Sequence, residues 1–111
     1  MLKAKEIGIL KTIIKHCNRI NNKLKNVKQS DFIKNDDLIE IVSFNILQIG
    51  ELAKKFDSDF IKKYPDVPWK KIKGMRDKVA HGYGSIDLNK VWVTANKDID
   101  ELLDYCEKIL K

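Results

Sequence analysis

Arginine, cysteine, proline and glycine are all scarce in this chain, and most of these scarcities close off a class of protein. Cysteine occurs twice, at Cys17 and Cys106, which excludes a disulfide scaffold and a four-cysteine zinc site. Five glycines and two prolines are too few for a many-turned β-sandwich. No apolar run approaches the roughly 20 residues that span a bilayer. The opening stretch MLKAKEIGILKTIIKHCNRI is charged throughout and holds no signal-peptide hydrophobic block. No repeat, linker or low-complexity tract divides the 111 residues, enough for one domain and too few for two ordinary ones. The expectation is a single cytoplasmic domain over residues 1–111, away from membranes.

Lysine is what the chain has in abundance. Basic residues number 22 against 16 acidic, for a net charge of +6. Hydrophobic residues at 43% and charged residues at 34% give the balance of a globular domain. Twenty of the basic residues are lysine, and only Arg19 and Arg76 are arginine. A planar guanidinium clamps phosphate oxygens in a way an ammonium does not, so each arginine hints at a geometric need. The charge is uneven. Residues 1–35 carry nine basic against two acidic side chains, and residues 70–83 carry five against one. The first block reads as a solvated helix face. The second also contains His81 and Tyr83.

Apolar residues at Ile7, Leu10, Ile14, Cys17, Ile20, Leu24 and Val27 make one stripe on an amphipathic helix of about 24 residues, roughly 36 Å long. Cys17 falls on the stripe as a core residue, and His16 on the lysine-rich side as a solvated one. Asn35, Asp36 and Asp37 offer helix-start chemistry. The second helix carries Leu38, Val42, Ile49, Leu52 and Phe56 on one line, with Ile41, Phe44 and Leu47 beside it. So wide an apolar surface predicts a central helix buried on more than one side. Asn45 interrupts that line. A buried amide costs about 1–3 kcal/mol unless its hydrogen bonds are met, so Asn45 is either a polar lock or part of a site.

A short helix is expected from Ser58 to Tyr64, stopped by Pro65. Pro68-Trp69 then opens a third helix to about Ala80, with Ile72, Met75 and Val79 on its apolar line. Gly82-Tyr83-Gly84-Ser85 ends it. A last helical pattern runs from Leu88 to the C-terminus, with a bend at Asn96-Lys97-Asp98. Trp69 and Trp92 read as core aromatics. The predicted architecture is all-α: three long helices plus shorter helices in an antiparallel bundle. So few residues can hardly cover such wide stripes, which makes a two-fold homodimer a physical expectation.

Arg76-Asp77-Lys78-Val79-Ala80-His81-Gly82-Tyr83 is the strongest pattern in the chain. Arg76 and His81 lie about 140° apart on an ideal helix, and they converge only if the helix ends near His81. A guanidinium, an imidazole that titrates near neutrality and a phenol suit phosphodiester chemistry. Histidine moves the proton of a 2′-hydroxyl or a leaving oxygen, and arginine stabilises charge on phosphate. This reading calls for no metal and no cofactor. One chain supplies one such histidine where an acid and a base are both wanted, and a dimer would supply two. A favourable cap charge at a helix end and a simple phosphate-binding patch are the plainer alternatives.

At these residues the sequence resembles the HEPN superfamily, and within it the HepT-like toxin ribonucleases. Arg76, His81 and Tyr83 match the R-x4-H-x-Y signature, with Asp77 as the polar residue after the motif arginine. Asn45 with Ile49-Gly50-Glu51-Leu52-Ala53 is similar to the family's N-x3-IGEA segment. Tyr64-Pro65, Pro68-Trp69, Gly74-Met75-Arg76, Asp87-Leu88 and Val91-Trp92 match further family positions, so the likeness covers residues 36–93. The resemblance implies an all-helical homodimer with both motifs facing one cleft, acting on RNA as a metal-independent endoribonuclease. It implies Arg76 and His81 as catalytic, Asp77 as an orienter of His81, and Asn45 and Glu51 as cleft-lining or helix-tying residues. It also implies a nucleotidyltransferase antitoxin partner that transfers AMP to Tyr83. A non-catalytic helical dimer that binds RNA or docks a nucleotidyltransferase is the alternative. Cys17 and Cys106 suggest no thiol chemistry.

Overall fold

The computed structural model describes residues 1–79 and 87–111, with the backbone alone for residues 76–79. Its helices are α1 (Ala4–Leu24), α2 (Gln29–Phe32), α3 (Asp36–Ala53), α4 (Ser58–Lys63), α5 (Trp69–Val79), α6 (Leu88–Val93), a π-helical segment (Thr94–Asp98) and α7 (Ile99–Leu110). No strand occurs among the described residues. The all-α expectation holds; α4 ends one residue short of the expected Tyr64, and α3 stops at Ala53, which leaves Phe56 in the turn after it rather than on the helix.

Helix α1 begins where the Glu6 carboxylate accepts a hydrogen bond from the Lys3 backbone at 2.9 Å. It ends at Leu24, short of the expected Val27. Asn26 adopts a φ of 63°, a left-handed conformation that breaks the helix and that asparagine tolerates better than most residues. The one-turn α2 that follows has no counterpart in the sequence reading. It places Phe32 fully in the core, its ring 5.3 Å from the half-buried Trp92. Four residues are too few to show a helical period, so only the tertiary contact reveals it.

Helix α3 is capped by Asn35, whose side chain accepts from the Leu38 backbone at 3.1 Å. Its stripe of Leu38, Val42, Ile46, Ile49 and Ala53 is buried. The helix packs on α1 and on α5, and α1 in turn packs on α7. The expectation that α3 is also covered along Ile41, Phe44 and Leu47 does not hold in the single chain. Phe44 is 54% exposed, Ile41 is exposed and Leu47 is half-buried, because both neighbouring helices lie on its other sides.

Aromatic rings join the end of α3 to α4 and α5. Phe56 stacks on Phe60 with centroids 4.1 Å apart, and Trp69 meets Phe56 edge-on at 5.3 Å and Phe60 at 5.7 Å. The Trp69 indole donates to the Tyr64 carbonyl at 2.9 Å, so its one polar group is satisfied inside the cluster. Helix α4 is held at its start by Asp57, which accepts from the Phe60 backbone at 2.9 Å. The expected bend at Asn96–Asp98 is the π-helical segment, where the Asn96 amide donates to the Trp92 carbonyl at 2.8 Å.

Phe60→Ala is expected to cost about 3–5 kcal/mol in a denaturant titration, since it empties the centre of the ring cluster. Ile33→Ala, at an exposed position, should change stability by less than about 0.5 kcal/mol.

Candidate active site

Helix α3 ends beside the Phe56–Trp69 contact, and α5 starts there and packs on α3. The two helices therefore run antiparallel. Seven residues forward from Trp69 is Arg76, and seven back from Phe56 is Ile49. At about 1.5 Å per residue both positions lie roughly 10 Å from the clamp, so the Arg76 backbone comes level with the Ile49–Glu51 segment. The two stretches that carry the family resemblance are thus neighbours on adjoining helices.

Helix α5 is anchored by Trp69, Ile72 and Met75, all buried. Arg76 and Asp77 follow directly on its final turn. His81 and Tyr83 lie outside the described residues, as does Ala80, the expected end of the helix. Glu51 is half-buried on α3, with a carboxylate oxygen 3.9 Å from the Lys54 ammonium.

Asn45 is 3% exposed and faces inward. Its amide nitrogen donates to the Ile41 carbonyl at 2.8 Å, which can only accept. That fixes the amide orientation and turns Oδ1 toward His16 Nδ1, 2.7 Å away. Nδ1 must then carry a proton and donate it to that oxygen. This corrects the expectation for His16, which is only 8% exposed rather than solvated. It stands three residues after Ile13 and four before Ile20, at the edge of the buried stripe. That position was readable in the sequence, but the surrounding lysines hid it.

A second polar pair was also missed. Asp98, 6% exposed at the end of the π-helical segment, accepts from the Lys71 ammonium of α5 at 2.8 Å. That hydrogen bond, together with the carboxylate charge, holds the Lys71 pKa above the usual lysine value. Asp98 follows Val91 by seven residues and precedes Leu102 by four, so it falls on the apolar line of the last helical pattern. A charged residue on such a line needs a cation, and that was the available signal. The two thiols are deeply buried; burial pushes Cys106 up to about 12 and Cys17 higher still, so neither is a thiolate near neutrality. Among the described residues no group of three or more histidine, cysteine, aspartate or glutamate side chains is placed to hold a metal ion, and no helix is long and apolar enough to cross a membrane.

With that geometry in view, comparison with known proteins identifies the class. The Ribonuclease HepT-like family matches residues 13–109, and the chain belongs to this family. It is 38% identical over 104 residues to a Methanocaldococcus jannaschii protein named "Putative RNase MJ1216", covering 94% of this chain and 86% of that one. It is 33% identical over 102 residues to "Putative RNase TTE0752" of Caldanaerobacter subterraneus subsp. tengcongensis, covering 92% and 91%. A 63-residue stretch is 38% identical to "Probable ribonuclease HepT" of Thermococcus cleftensis, covering 57% of each chain. No solved structure gives a significant match.

If the His16–Asn45 contact ties α1 to α3, then Asn45→Ala and His16→Ala should each destabilise the fold by about 1–3 kcal/mol. The double variant should lose clearly less than the two single losses together, as thermal or denaturant melts would show.

Proposed function

We propose that the protein is a metal-independent endoribonuclease, the toxin of a toxin–antitoxin pair, working as a cytoplasmic homodimer. The observation that carries this reading is the Arg76-x4-His81-x-Tyr83 sequence pattern, whose arginine stands on a core-anchored helix, in a chain of the Ribonuclease HepT-like family. His81 of one protomer takes the proton of an RNA 2′-hydroxyl. That oxygen attacks the adjacent phosphorus, the bond to the 5′-oxygen breaks, and the partner's His81 protonates the leaving oxygen. The products are a 2′,3′-cyclic phosphate and a 5′-hydroxyl end. Arg76 stabilises the charge that gathers on the equatorial phosphate oxygens. Asp77 orients His81. Glu51, beside the Arg76 level of α5, borders the cleft, whereas Asn45 serves it indirectly by fixing α3.

Regulation in this reading is covalent. A nucleotidyltransferase antitoxin directs the Tyr83 hydroxyl onto the α-phosphorus of ATP, forming a phosphodiester and releasing pyrophosphate. The AMP group brings bulk and negative charge next to the catalytic pair. The exposed Phe44 and Ile41 on the outer side of α3 supply an apolar face for the second protomer.

His81→Ala should lower RNA cleavage by about 10²–10⁴-fold. Arg76→Lys should cost on the order of 10²-fold, because the ammonium lacks the bidentate fork. Chelation with EDTA should leave the wild-type rate unchanged. Failure of wild-type protein to cut any RNA in a varied set would overturn the nuclease reading in favour of the non-catalytic dimer. Phe44→Glu should convert a dimer to a monomer in sedimentation equilibrium and lower cleavage with it. A monomeric wild type would overturn the two-fold site.

A further inference from the structure

A groove of about 500 Å³ runs between α5 and the α6–π segment, apart from Asn45 and His16. Lys71 lines it from α5, Asn89 and Lys90 from α6, and Lys97 and Asp98 from the π-helical segment. We infer that this groove is a binding track for the sugar–phosphate backbone of a single RNA strand, with Lys90 and Lys97 as its phosphate contacts. The inference rests on the ribonuclease reading for the identity of the strand, and on the groove itself for its place.

Three features support it. The first is charge. The Asp98 carboxylate is already matched by Lys71 at 2.8 Å, whereas neither Lys90 nor Lys97 forms an ion pair among the described residues. Two uncompensated ammonium groups therefore face one groove. The second is spacing. Lys90 and Lys97 are seven residues apart, about two helical turns or roughly 10 Å along the axis. Such a row suits a polymer with a repeated anion better than one small anion, which two point charges so far apart would not grip together. The third is position. Lys71 stands five residues before Arg76 on the same helix, about 7.5 Å along its axis and about 140° around it, so a strand that leaves the groove passes over α5 to reach the Arg76 level.

The walls are also braced. Gln29 of α2 donates to Asn89 at 2.8 Å and fixes the upper end of α6. Asp98 pins Lys71 and with it the α5 wall. The π-helical segment widens the backbone between Lys90 and Lys97, and such segments often mark functional positions. An acidic peptide shares the charge but lacks the regular phosphate repeat, so RNA is the occupant these features favour.

The test measures binding of wild-type protein to a 2′-O-methyl RNA 20-mer, which has no 2′-hydroxyl to attack, across a range of salt concentrations. Lys90→Gln/Lys97→Gln should bind roughly tenfold more weakly at low salt. Its plot of log affinity against log salt should be shallower by about 1.4, or 0.7 for each lost phosphate contact. Lys23→Gln/Lys25→Gln, which removes the same charge from the end of the first helix, should keep the wild-type slope. An unchanged affinity and slope for the Lys90/Lys97 variant overturns the track, and if that protein still cleaves ordinary RNA the nuclease reading survives. Equal losses in both double variants overturn it too, as net charge alone would then be acting. Should wild-type protein neither bind nor cleave RNA, track and nuclease reading fall together.

Discussion

The aromatic clamp of Phe56, Phe60 and Trp69 is the constraint from which the rest of the architecture follows. It sits where α3 gives way to α4 and α5, and it fixes the direction in which the chain returns. With the clamp formed, α5 has one course, antiparallel along α3. Only that course brings the Arg76 level beside Ile49–Glu51. The rings are large, stiff and nearly fully buried, so the corner resists repacking in a way a corner of leucines would not. Ile72 and Met75 then carry the anchoring along α5 to the residue before Arg76. A site that needs its groups held closely gains from standing on an element fixed at each turn.

Much of this could be read from the residues because helices of ten or more leave a period. The stripes of α1, α3 and the last helical pattern predicted the right elements, and Asn35 and Pro65 marked a start and a stop. The unforeseen parts are those where local chemistry is ambiguous. Asn26 could equally have continued a helix, and its left-handed φ follows from what the turn must do next. The α2 turn exists because Phe32 finds Trp92, a contact sixty residues away in sequence. On the site side, Arg76 and Asp77 fall within α5, while His81, where the pattern wants the helix to end, lies outside the described residues. His16 and Lys71 escaped notice because both sit among lysines, and neighbours in sequence say little about which helix face a single residue takes.

The outer side of α3 shows the same limit from another direction. Its apolar breadth was correctly read, but breadth alone does not say what covers it. In the single chain Phe44 remains largely in solvent while Ile46 and Ile49, on the opposite side, are wholly buried. A large exposed aromatic is a cost a lone domain has little reason to bear, and a partner surface seated on it would remove that cost. In the proposed dimer the apolar face and the second imidazole call for one arrangement by independent routes, one from solvation and one from acid–base chemistry.

Two polar pairs flank the helices that carry the site, and their value lies more in register than in net stability. Apolar stripes permit sliding, since a leucine meets its neighbour nearly as well a fraction of a turn away. The His16–Asn45 bond does not, because a shift of an ångström or two breaks it and strands a buried donor. It fixes α1 against α3. Lys71–Asp98 does the same for α5 against the π-helical segment, with a buried carboxylate that would be left without its cation if α5 moved. Replacing either pair with well-packed apolar groups could leave stability intact or raise it. The axial position of α5, and with it the height at which Arg76 is presented, would then rest on packing alone.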